Sequence, residues 1–307
     1  MTEPFFIVGF QRSGTTLLRL MLDNHPALAI PLDTVGLWAR YEDSLATYGS
    51  LATDADVRRL VTDLLAEERI RLWEVPLTVD GVLAHRRRAG FAGMVDAFHL
   101  AYAAAKGKTA WGDKDPGNME RIDRINRWFP AARFIHIVRD GRDACLSQQQ
   151  QDFGIQDLFD CACAWREQVE WVRRIGAVLG PERYFELRYE DLITDAAPIL
   201  QRLCAFLGVA WEPQMLEYHR EVKRSVPDEK RHLWPLLDKP PQKDNAGRWK
   251  TALSRGERVG FEKRAGNMLR AMHYETLPML TGGARAELEH FVRRGVAAMR
   301  RRLGGRK

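Results

Sequence analysis

Short apolar runs ended by glycine or proline alternate along this chain with stretches whose apolar residues return every three or four positions. Phe5-Phe6-Ile7-Val8, closed by Gly9, reads as a strand over residues 4–9. A continuous apolar run, rather than alternation, is what a strand covered on both faces requires. Leu17, Leu18, Met21 and Leu22 then share one helical face over 14–24, and "HPALAIP" returns to a second strand near 27–30. Strand, loop, helix and strand in that order open an α/β fold. Further strands are expected at 109–114 ("TAWGDK"), 132–138 ("ARFIHIV") and 183–189 ("RYFELRY").

Between the second and third strands the pattern is mostly helical, over 35–108. One helix is expected to open at the capping residues of "TDADVRRLVTDLLAEERIRLW", and another in "GFAGMVDAFHLAYAAAKGK" is expected to end at Gly107. Later helices are expected before Pro130, from about 142, over 157–179 and up to Gly208, with a last one over 284–303. Residues 220–247, rich in Lys, Arg, Asp and Pro, show no periodicity and read as a long loop or lid. We therefore expect a single α/β domain over 1–280, a central parallel sheet flanked by helices, with 35–108 as a helical insertion and 281–307 as a basic C-terminal helix.

Composition narrows this only slightly. The chain has 307 residues, 45% hydrophobic and 29% charged, enough apolar content for a full core. Its net charge of +6 suits an anionic ligand, or loose surface binding. The four cysteines, Cys145, Cys161, Cys163 and Cys204, form no C-x-x-C pair, so we read four free thiols in a reducing compartment. The N-terminus lacks the pattern of a signal peptide, and no apolar stretch reaches roughly 18 residues, so a cytoplasmic location is expected.

The chemistry concentrates in "GFQRSGTT", directly after the first strand. Gly9 and Gly14 have the separation of a phosphate-binding loop, and Thr16 stands where such a loop carries its metal-binding hydroxyl. The expected lysine is replaced by Thr15, and the loop's only cation is Arg12. A glycine-bounded turn into a helix aims backbone N–H groups and partial positive charge at one point, which suits an anion. Without the lysine, and with "FIHIVRD" presenting Arg139 before any acidic metal ligand, the anion is expected to be held by backbone, hydroxyls and arginine with no required metal.

"GFQRSGTTLLRLMLDNHP" resembles the 5′-phosphosulfate loop of sulfotransferases that use 3′-phosphoadenylyl sulfate (PAPS), tyrosylprotein sulfotransferases and their bacterial relatives above all. The resemblance continues through "DKDPGN", "FIHIVRDGRD…S", "RYEDL", "FLGVAWEP" and "GRWK", in the family's order, over about 4–275. It implies that Gln11, Arg12, Ser13, Gly14, Thr15 and Thr16 bind the 5′-phosphosulfate. It places Arg139 and Ser147 on the 3′-phosphate, Tyr189 near the adenine and Arg248 closing over the nucleotide. The family's arginine four residues after the serine is Gln151 here. Asp33 falls on the family's catalytic glutamate, one methylene shorter, with Thr34 matching the next residue. It is the candidate base, the alternatives being a cap on the following turn or a substrate contact. Arg12 and Lys114 are implied as clamps on the transferring sulfuryl group and bridging oxygen, and Ser225 as a contact to the leaving oxygen. His136 alternates within its strand and reads as core.

The implied activity is sulfuryl transfer from PAPS to an acceptor hydroxyl of a carbohydrate or glycolipid, a small molecule or a peptide tyrosine. A P-loop kinase or hydrolase is the competing enzyme class. A basic nucleic-acid binder is the competing non-enzyme, and it lacks a recognisable motif. The basic C-terminal helix reads as a solvated end, with peripheral contact to an anionic membrane or acidic acceptor as the sharper alternative.

Overall fold

The computed structural model describes residues 3–277 apart from 33, 35, 50, 52, 74, 153 and 222–235. The expected helix at 284–303, Asp33 and Ser225 lie outside the described residues.

Five strands form one parallel sheet: β1 (Phe5–Val8), β2 (Leu28–Ala29), β3 (Ala110–Lys114), β4 (Arg133–Val138) and β5 (Tyr184–Arg188), in the spatial order β2-β3-β1-β4-β5. β1 lies in the middle, with Phe5 opposite Gly112 of β3 and Arg133 of β4, and Ile7 opposite Lys114 and Ile135. Every residue of β1 and β3 is buried. The fold class expected from the alternating pattern is the one observed, and all five strands fall where the apolar runs placed them.

The chain packs as two compact units. The first takes the described residues up to Arg139 and from Trp171 to Lys243, and it contains the whole sheet. Its helices include α1 (Thr15–Asp23), α2 (Leu37–Asp43), α3 (Asp54–Ala66), α4 (Glu68–Arg71), α5 (Val79–Ala84), α6 (Gly90–Ala105) and α7 (Ile122–Trp128). The second takes Asp140–Glu170 and the described residues from Asp244 onward. Further helices are α8 (Gly141–Gln149), α9 (Leu158–Leu179), α10 (Tyr189–Thr194), α11 (Ala196–Leu207), α12 (Trp249–Ala252) and α13 (Arg255–Ala271).

Three expectations are corrected. The single helix read across 53–73 is two. α3 starts at its Thr53 cap, whose hydroxyl accepts from the Asp56 N–H, but Glu67 turns extended at ψ 133° before α4 begins. There its carboxylate accepts from the Tyr41 hydroxyl and pairs with Arg40, so tertiary contacts override continuous periodicity. The strand read to residue 189 stops at Arg188, and Tyr189 is the first residue of α10. Finally, the thiols are not all free. Cys145 on α8 and Cys161 on α9, both fully buried, form a disulfide with Cα atoms 5.9 Å apart, leaving Cys163 and Cys204 reduced. Sequence spacing tests only local cysteine motifs, whereas this pair is joined by helix packing 16 residues apart. The thiol argument for a reducing compartment therefore falls away.

Candidate active site

Because all five strands are parallel, the residues that follow them lie along one edge of the sheet, the edge where open α/β sheets bind ligands. Arg12 follows β1, Lys114 ends β3, Arg139 follows β4 and Tyr189 follows β5.

The loop after β1 is tightly built. A Cβ on Gly9 would lie 2.6 Å from the Ile137 carbonyl oxygen. Gly14 caps α1 at φ +92°, and a Cβ there would lie 2.4 Å from the Tyr189 ring. Both glycines are therefore required by close approach, and Gly14 by its left-handed backbone as well. Arg12 also adopts positive φ, +69°, rare for a side chain of its size and found chiefly where surrounding contacts impose it. One such contact is present: the Arg139 guanidinium donates to the Arg12 carbonyl at 3.0 Å. The same guanidinium lies 4.6 Å from the centre of the Tyr189 ring. Arg12, Arg139 and Tyr189 thus converge on Gly14.

This cluster fits an anion. α1 has no acidic residue in its first turn and no side-chain cap, so its N-terminal dipole is uncompensated locally. The fully buried Ser13 hydroxyl has no hydrogen-bond partner among the described residues. Burial, and then the positive charge of Arg139, lower the pKa of Arg12. A bound dianion would relieve that repulsion.

Lys114 is 2% exposed, so it is not a solvated surface lysine. The aspartates on either side of it organise the loop that carries position 33. Asp113 accepts from the Thr34 hydroxyl at 3.2 Å and from the Asn118 amide at 3.0 Å. Asp115 accepts from the backbone N–H of Gly36, and from that of Gly117 at 2.7 Å. Trp73 donates to the Leu32 carbonyl at 3.1 Å. Leu32, Thr34 and Gly36 are therefore each pinned. Beside Gly36 opens a cleft of about 560 Å³, lined by residues that include Arg40, Glu120, Arg121, Arg124 and Arg127.

A protein-family model for the sulfotransferase family matches residues 4–213. The chain belongs to the sulfotransferase family. Among curated sulfotransferases, chicken protein-tyrosine sulfotransferase 2 is 27% identical over 224 residues, and human protein-tyrosine sulfotransferase 1 is 27% identical over 233. Each alignment takes in 71% of this chain and 54% of the relative, so the chain spans about half the length of the curated relatives it matches. The fold is shared with the sulfotransferase domain of the Synechococcus olefin synthase (TM-score 0.61, 23% identity, 90% of this chain and 96% of that one). The sulfotransferase domain from the curacin biosynthetic pathway is similar in the same way (TM-score 0.63, 18% identity, 90% and 99%). A mouse sulfotransferase solved with PAP, the desulfated nucleotide, has a TM-score of 0.50 at 14% identity, covering 87% of this chain and 85% of that one.

Other family positions sit as follows. Thr16 is buried at the start of α1, Thr15 is half-buried and Gln11 is exposed. In the second unit, Ser147 is buried on α8, Gln151 follows that helix, and Arg248 is exposed at the start of α12. His136 is core, as expected: fully buried, with Nδ1 2.7 Å from the Tyr184 hydroxyl, which in turn donates to Glu186.

Sequence reading assigned only the lysine of "DKDPGN" and missed its aspartates. Their alternation with Lys114 was the available signal. Burial would raise the Asp113 carboxyl, but hydrogen bonding from His99 first, then from Asn118 and Thr34, holds its pKa below the usual aspartate range. A depressed folded pKa means the unfolded chain binds more protons, so stability rises with pH in that window. The contribution of Asp113 is therefore complete above the ordinary aspartate value of about 3.9 and is lost as pH falls through the folded-state value. Asp113→Asn should flatten the acid limb of a plot of melting temperature against pH. An acid limb as steep in the variant as in the wild type would show that Asp113 does not carry that dependence.

Proposed function

We propose that the chain is a PAPS-dependent sulfotransferase, transferring the sulfuryl group of PAPS to an acceptor hydroxyl and releasing 3′,5′-adenosine bisphosphate. The observation that carries this reading is the convergence of Arg12, Arg139 and Tyr189 on a glycine loop that has no loop lysine, with Lys114 ending a strand on the same edge. The acceptor oxygen attacks sulfur as the bond from sulfur to the bridging phosphate oxygen breaks, and the acceptor's proton passes to the base, Asp33. Charge spreads over the equatorial oxygens, so the protein's task is positioning and electrostatic stabilisation. Arg12 and Lys114 clamp that charge, and Ser225 contacts the leaving oxygen. Gln11, Ser13, Gly14, Thr15 and Thr16 hold the 5′-phosphosulfate. Arg139 and Ser147 take the 3′-phosphate, Tyr189 borders the adenine, and Arg248 closes on the nucleotide. We place the acceptor, a sugar, small-molecule or peptide hydroxyl, at the cleft beside Gly36, next along the chain from the base.

Calorimetric titration in EDTA tests this reading. Wild type should bind PAPS without metal. Arg139→Ala should weaken PAPS far more than adenosine 5′-phosphosulfate, which lacks the 3′-phosphate. Equal losses for both ligands would remove Arg139 from the 3′-phosphate. No PAPS binding by the wild type, with ATP–Mg²⁺ bound instead, would replace this reading with a phosphoryl-transfer enzyme.

A further inference from the structure

Three consecutive-motif charges of "RDGRD" are buried in the second unit and converge on one short loop. Asp140, Arg142 and Asp143 are 4%, 0% and 2% exposed. Asp140 receives the Arg142 side chain through both carboxylate oxygens, at 2.9 and 2.7 Å. Arg142 also donates to Glu262 at 2.9 Å and to the Glu275 carbonyl at 2.8 Å. Held in this way, its guanidinium lies 3.4 Å from the centre of the buried Trp249 ring. Asp143 acts on the same loop from its backbone side. One of its oxygens accepts from the Gly247 N–H at 2.6 Å and the other from the Trp249 N–H at 2.8 Å.

The residue between those two N–H groups is Arg248. Its side chain is exposed, and among the described residues its guanidinium has no hydrogen bond or ion pair. Stability alone does not account for this arrangement. Taking a charge out of water costs several kcal/mol per ion, and a buried ion pair often adds nothing over apolar packing of the same volume. What the charges do supply is geometry. A carboxylate bridging the N–H groups on either side of one residue fixes that residue's backbone, and the stacked Trp249 prevents the loop from rotating.

We infer that Asp143 is a positioning residue for Arg248, with Arg142 as the backing that holds Trp249 in place. The pair presents a pre-set cation to an anionic group of the nucleotide, so that little loop ordering is left to occur on binding. This inference rests on the reading of Arg248 as a nucleotide contact.

The test is a double-mutant cycle on affinity for 3′,5′-adenosine bisphosphate, with Asp143→Asn, Arg248→Ala and their combination, each first confirmed folded by a thermal melt. Asp143→Asn keeps the side chain's shape and removes one of its two acceptors. Each single variant should bind roughly tenfold more weakly, and the double variant no more weakly than Arg248→Ala. Hydrogen exchange of the peptide spanning Gly247–Ala252 should rise in Asp143→Asn. If Asp143→Asn does not fold, Arg142→Lys, which keeps the charge but loses the planar two-point pairing, serves in the same cycle with the same expectation.

Losses that multiply in the double variant would mean that Asp143 acts elsewhere and would overturn the inference, as would full affinity in Asp143→Asn. Full affinity in Arg248→Ala would instead remove Arg248 from the nucleotide, and the inference with it. Unchanged exchange at Gly247–Ala252 would show that no seat exists. Failure of the wild type to bind the bisphosphate at all is the separate signature that the sulfotransferase reading itself is wrong.

Discussion

Asp33→Asn should bind 3′,5′-adenosine bisphosphate almost as the wild type does, while turnover falls by roughly 10²–10⁴-fold, the usual worth of a positioned base. The side chain keeps its size and hydrogen-bonding outline but can no longer accept the acceptor's proton. The surrounding loop gives reason to expect a rate effect without a folding effect. Leu32, Thr34 and Gly36 are fixed by hydrogen bonds from or to Trp73, Asp113 and Asp115. Asp33→Glu, which restores the longer carboxylate of the resembled family, should retain turnover. Turnover retained in the Asn variant would place the base elsewhere; turnover lost together with nucleotide affinity would favour the turn-capping alternative.

Lys114→Met should lower kcat by about 10²–10³, comparable to loss of one oxyanion-hole donor, with a much smaller change in PAPS affinity. The lysine is buried at the end of β3. Methionine fills nearly the same volume with a flexible apolar chain, so the change removes charge without opening a cavity. Steady-state kinetics and a thermal melt on the same preparation separate the outcomes. A large drop in melting temperature with kcat preserved per folded molecule would make Lys114 a structural residue and leave the clamp to Arg12.

The sheet was legible where a strand is a short, buried apolar run, as in Phe5–Val8 and in most of Arg133–Val138, because burial of both faces leaves little else such a run can be. The residues immediately after those runs were legible for the same reason, since their place follows from the strand ends. Less legible was anything decided by contact between distant segments. The break between α3 and α4 depends on Tyr41 and Arg40 reaching Glu67. The Cys145–Cys161 bridge depends on how α8 packs against α9. The roles of Asp113 and Asp143 depend on which groups about 80 and 100 residues away in the chain, the Thr34 hydroxyl and the Gly247 and Trp249 N–H groups, arrive at their carboxylates. Periodicity carries none of this, because it describes a residue's face and not its partner.

The central place of β1 also bears on how the chain comes to be made. Phe5 pairs with Gly112 and Arg133, each more than a hundred residues downstream. During synthesis β1 and the glycine loop after it therefore leave the ribosome long before the strands that flank β1 exist. Pairings so distant in sequence form slowly, because a long loop must close before they return any stabilisation. Until β3 and β4 emerge, Phe5-Phe6-Ile7-Val8 is an exposed apolar segment with unsatisfied edges, the kind of segment that aggregates or recruits a chaperone. The first strand to emerge thus waits for two partners that are made only after more than a hundred further residues.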